Sequence, residues 1–199
     1  TAMCDVAFLL LSFFVMTATA KQPEPKPVDT PASTVLDKLP EEGVAVITVG
    51  DNEAFFTIPR NLREKTLNRV ADLKKMQFTE AEKKAFIGAD GFGVPLNELN
   101  GILKMSSNDR NKPGVQKGIP FDSINDQLSM WVKETREANR ELINERTANG
   151  EKDVEVKDLD IAIKGDAKES YPTIKAVIDI LQKQKKNRFF LVTGLRNKD

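Results

Sequence analysis

Residues 159–194 read LDIAIKGDAKESYPTIKAVIDILQKQKKNRFFLVTG. Leu159 to Lys164 alternates apolar and polar side chains, the period of a half-buried strand. Gly165-Asp166 opens a loop. From Tyr171 to Lys185, Ile174, Val177, Ile178 and Leu181 fall on one helical face, and Pro172 suits a first turn. Arg188 to Thr193 is a second strand, closed by Gly194. Strand, helix and strand follow within about 35 residues, which predicts parallel strands joined by a helical crossover.

Upstream, Val44–Val49 is a β-branched run, Gly50-Asp51-Asn52 is turn chemistry, and Glu53–Ile58 is the return strand, stopped at Pro59. This predicts a hairpin. The fold class expected is α+β: a small sheet with helices.

Residues 61–157 separate these blocks. Asn61 with Glu64, and Thr79 with Glu82, have capping-box spacing. Pro95 opens a short apolar helix through Leu96, Leu99, Ile102 and Leu103, and Ser106–Gly118 is rich in loop signals. A long helix is expected from about Ser123 to Thr147, with Asp122 as cap and Asn149-Gly150 as stop. Phe121, Ile124, Leu128, Trp131, Thr135, Ala138 and Leu142 alternate spacings of three and four, a narrow seam of seven-residue period. That seam is either core or a contact to a partner, with Trp131 and Leu128 as the contact residues.

The whole chain holds 199 residues, with 30 Lys and Arg against 30 Asp and Glu, and no His. Zero net charge excludes nucleic-acid binding by bulk basicity, and 40% hydrophobic content excludes a disordered polyampholyte. Lack of His removes His-based catalysis and most zinc and haem sites. One Cys excludes an intrachain disulfide. No nucleophile–base pair or metal cluster stands out, so an enzyme is the least expected class. Asp90-Gly91-Phe92-Gly93 lacks a phosphate-loop Lys and reads as a turn. Asp158, Asp160 and Asp166 are not spaced as a calcium loop. No cofactor is expected.

Residues 1–20, TAMCDVAFLLLSFFVMTATA, hold one charged side chain, Asp5. Twenty helical residues reach about 30 Å, the thickness of a bilayer core. Ala18-Thr19-Ala20 resembles a signal-peptidase site, but Asp5 stands where a positive region belongs. A plain anchor needs no carboxylate, and a central Asp costs about 2.5–3.5 kcal/mol on insertion scales. The third reading is a functional intramembrane carboxylate that alternates between protonated and ionised. Residues 21–34, KQPEPKPVDTPAST, carry four prolines and predict an extended linker of roughly 40 Å. The expected domains are therefore a transmembrane helix (1–20), a Pro-rich linker (21–41) and a folded body (42–199) with a helical insertion at about 61–157.

The run Met3-Cys4-Asp5-Val6 through Phe13-Phe14-Val15-Met16-Thr17-Ala18 resembles the transmembrane segment of the ExbD/TolR family. Residues 42–60 and 158–195 resemble the two ends of its periplasmic domain, and 61–157 departs from its pattern. The resemblance implies a subunit of a proton-driven motor in the bacterial inner membrane, N-terminus cytoplasmic and C-terminal domain periplasmic. It implies that Asp5 carries protons and that Ser12 and Thr17 face a partner. The implied partners are an ExbB-like ring, a second copy of the chain, a TonB-like periplasm-spanning protein and the lipid bilayer, with no nucleic acid. The rival readings are a TolR- or MotB-like stator, and a secreted binding module released after Ala20.

Overall fold

The computed structural model describes residues 2–17, 24–30, 32–33, 43–151, 154–192 and 194–195. In chain order the elements are α1 (Ala2–Thr17), β1 (Ala32–Ser33), β2 (Val44–Gly50), β3 (Glu53–Thr57), α2 (Arg63–Lys74), α3 (Glu80–Ile87), α4 (Leu99–Leu103), α5 (Ser107–Arg110), α6 (Gln127–Ala148), β4 (Asp160–Gly165), α7 (Tyr171–Lys183), β5 (Phe190–Val192) and β6 (Gly194–Leu195). Four strands form one sheet in the order β3-β2-β4-β5. The expected hairpin is present: β2 and β3 are antiparallel, with Val49 opposite Ala54. Asp51 and Asn52 between them both have positive φ, as a two-residue turn matching strand twist requires. The expected crossover is also present, with β4 and β5 parallel and Ile163 opposite Leu191. Not foreseen was that β4 lies parallel against β2, so residues 51–159 form one long connection between neighbouring strands.

Period-two alternation splits the sheet into two faces. Ala45, Ile47, Val49, Ala54, Phe56, Ile161 and Ile163 are buried in the main core. The helices of residues 61–148 supply the other half of that core through Leu62, Leu67, Val70, Phe86, Leu99, Leu128, Trp131 and Val132. The segment read as an insertion is therefore a layer of the domain itself. Trp131 stacks on Phe86 at 5.9 Å and meets Phe92 edge-on at 4.7 Å.

Local signals hold in part. Thr79 and Glu82 form the reciprocal capping box. Asn61 caps nothing: it lies in a 3-10 turn, Arg60–Leu62, that runs directly into α2. The long helix begins four residues later than expected. Asp122 accepts the N–H groups of Ile124 and Asn125 at 2.8 Å each, closing a turn, and Asp126 caps α6 by accepting from Ser129. The N–H groups of Gln127 and Leu128 both donate to the Pro120 carbonyl, fixing this late start. Ile124 consequently leaves the seam and is fully exposed. The rest of the seam faces inward, with Leu128 and Trp131 at 0% exposure. Their expected partner contact is corrected: both are core residues, with no surface to offer.

The Asp90–Gly93 run is more than a turn. Phe92 exchanges both backbone hydrogen bonds with Phe56, covering the outer edge of β3. Gly93 abuts the Phe55 ring so closely that any Cβ would overlap it. Glycine is there for close approach, not for phosphate.

Candidate functional site

Helix α1 carries its one charge, Asp5, in the first turn, where the helix dipole favours a carboxylate. None of its residues is buried, and Phe8, Leu9, Phe13, Phe14 and Val15 are all exposed. A helix apolar on all sides requires cover from lipid or protein. Among the described residues, no helix is long and apolar enough to cross a membrane. Helix α1 has sixteen residues, roughly 24 Å at its rise per residue, where a span takes about twenty residues. The Thr17 hydroxyl donates to the Phe13 carbonyl at 2.7 Å, and Ser12 is half-buried on the same helix. Asp5, Ser12 and Thr17 thus share one helix, while Leu128 and Trp131 lie in the interior of the body.

The second feature is a strap that sequence reading placed in a free linker. Residues 24–30 lie on the sheet face away from the helices. Lys26 donates to Asp51 at 2.7 Å and to Glu53 at 3.1 Å, and its ammonium sits 5.9 Å from the Phe55 ring centroid. Lys164 donates to Glu24 at 2.8 Å. The N–H of Asp29 donates to the Asp166 carboxylate at 3.2 Å, and the N–H of Ala167 donates to the Asp29 carbonyl at 2.7 Å. Val28 fits over Gly50, whose missing side chain leaves the room. Beyond the strap, Ala32–Ser33 pairs in parallel with Gly194–Leu195.

The charges are tuned to hold this arrangement. Partial burial pulls the Lys26 pKa down, but the carboxylates of Asp51 and Glu53 more than offset it and raise it above the ordinary lysine value. The backbone N–H of Lys168, then that of Asp29, hold the Asp166 carboxyl below the ordinary aspartate value. A cavity of about 370 Å³ remains between strap and sheet, with Pro25, Val46, Thr48, Phe55 and Val192 among its walls. The sequence signal for the strap was the alternating charge of Glu24, Lys26 and Asp29 within a proline run. Its partners lie 25 to 140 positions away.

Residues 1–195 match the family described as biopolymer transport protein ExbD/TolR. The chain belongs to the ExbD/TolR family. The match spans the apolar helix, the strap, the sheet and the helical layer together. No curated protein and no solved structure matches the chain. Membership makes this ExbD/TolR chain a subunit of a biopolymer transport energiser. Such subunits generally belong to membrane complexes with ExbB-like and TonB-like partners.

Proposed function

We propose that this ExbD/TolR chain couples the proton-motive force to transport across the outer membrane, with Asp5 as the proton carrier. The observation that carries the reading is one carboxylate on a helix otherwise apolar on every side. In a low-dielectric setting the ionised form is desolvated and disfavoured, so the carboxyl takes up a proton there. Facing a hydrated gap inside a partner ring, it releases the proton. One charge moved through 100 mV supplies about 2.3 kcal/mol per cycle. Residues 1–20 would cross the inner membrane within an ExbB-like ring, with the body in the periplasm passing force to a TonB-like partner.

The test is Asp5→Asn, which keeps size and hydrogen-bonding shape but cannot ionise. The expected result is co-purification with the ring subunit at wild-type yield and loss of energised uptake. Full uptake by this variant would defeat the carrier role.

A further inference from the structure

We propose that the strap-covered sheet face is a peptide groove. Its partner ligand is an extended, proline-spaced segment with an acidic residue followed two positions later by a basic one. Residues 24–30 are the occupant in cis. This deepens the reading above by naming the chemistry of the periplasmic partner, and it rests on that reading only for the partner's existence.

Four observations carry it. First, the face has two charge-selective ends. Lys164 holds the acidic residue Glu24, while Asp51 and Glu53 together hold the basic residue Lys26. Reversing the order of charges would set like against like at both ends. Second, the floor between the ends is apolar or uncharged, with Val46, Thr48, Phe55 and Val192. Third, the occupant's Pro25 and Pro27 have no N–H to leave unsatisfied. A proline-spaced segment is also pre-extended and loses little entropy on binding. Fourth, the strap fills the groove incompletely. The cavity of about 370 Å³ beside Pro25 equals the volume of about a dozen water molecules at about 30 Å³ each. A ligand with a larger apolar side chain there gains contacts that the strap lacks.

The strap then acts as an intramolecular competitor. A tethered segment meets its site at a local concentration in the millimolar range, so a free peptide of equal intrinsic affinity is excluded until the strap lifts.

The test uses the full chain in detergent and a fluorescent synthetic peptide of residues 21–34. The protein variant carries Glu24→Lys with Lys26→Glu, which keeps net charge and reverses the strap's charge order. The expected result is peptide binding at least about tenfold tighter to the variant than to the wild-type chain. Adding Lys164→Glu to the variant abolishes that gain. With the wild-type chain isotope-labelled and the peptide unlabelled, excess peptide removes the intrachain nuclear Overhauser contact between the chain's own Lys26 and its Phe55 ring. Equal affinity for wild type and variant, or binding that leaves the Lys26–Phe55 contact intact, overturns the proposal. So does absence of binding to a variant whose thermal unfolding matches wild type. No step involves membrane energisation, so this test fails or succeeds independently of the Asp5→Asn result.

Discussion

Asp158 sits between two cations. Arg136 donates to it through both ends of the guanidinium fork, at 3.1 and 2.9 Å, and Lys186 lies 3.3 Å away. Arg136 also donates to the Gln184 carbonyl at 2.9 Å. One carboxylate thereby joins α6, the approach to β4 and the end of α7. Burial pushes the Asp158 pKa up, but Arg136 and then Lys186 more than offset it and hold it below the ordinary aspartate value. A depressed carboxyl pKa stabilises the fold above the unfolded value, about 3.9. That contribution is lost as pH falls through the folded value. Asp158→Asn is therefore expected to cost roughly 3 kcal/mol at neutral pH, because two cations stay behind without their counter-ion. The gap to wild type in urea unfolding should shrink as pH drops below about 4. A second residue points the other way. Thr66 is fully buried and its hydroxyl has no hydrogen-bond partner among the described residues. Thr66→Val should stabilise the chain by about 1 kcal/mol, read from the same urea midpoints.

Helix α6 and strand β3 each concentrate their effect in one position. Trp131 is the centre of the aromatic cluster with Phe86 and Phe92. Trp131→Ala should cost about 3–5 kcal/mol, since rings on several sides cannot collapse into the cavity. Trp131→Phe should cost less than the volume loss alone implies, because the indole N–H is buried without a partner among the described residues. Unfolding of the two variants side by side checks the ordering. Against β3, Gly93→Ala would drive a methyl group into the Phe55 ring, at a cost of about 1–3 kcal/mol. Phe55 is also part of the groove floor, so the same variant should weaken strap docking. The Lys26–Phe55 nuclear Overhauser contact reads this directly.

The whole molecule is governed by how far the body stands from α1. Helix α1 ends at Thr17 and the strap begins at Glu24. Seven steps of chain span at most about 25 Å. With the strap lifted and β1 still paired to β6, the chain from Thr17 to Ala32 spans at most about 50 Å. The ion pairs that set this choice are partly exposed, so salt screens them. Lys26 titrates above the ordinary lysine range and Asp166 below the ordinary aspartate range. Strap docking should therefore hold constant from about pH 5 to 9. It should weaken in about 1 M salt, where the screening length falls to about 3 Å. Paired spin labels at Thr17 and Asn139 should report longer, broader distances in high salt and an unchanged distribution across that pH window.

What the sequence determined by itself was local. The β2–β3 hairpin, the capping box at Thr79 and the lone Asp5 each depend on residues within a few positions of one another, and the β4–α7–β5 crossover on three consecutive elements within about 35 residues. Periodicity and turn chemistry fix such features before any long-range contact forms. The tertiary structure decided where α6 begins, because Pro120 and Asp126 outcompete Asp122 for the start. It turned the Leu128–Trp131 seam inward, because the 61–148 helices must cover one face of the sheet. It also converted part of a proline linker into a strap. Lys26 and Glu24 gain meaning only when Asp51, Glu53 and Lys164 are brought beneath them. That juxtaposition depends on the register between β2, β3 and β4, which hydrogen bonding across the sheet sets.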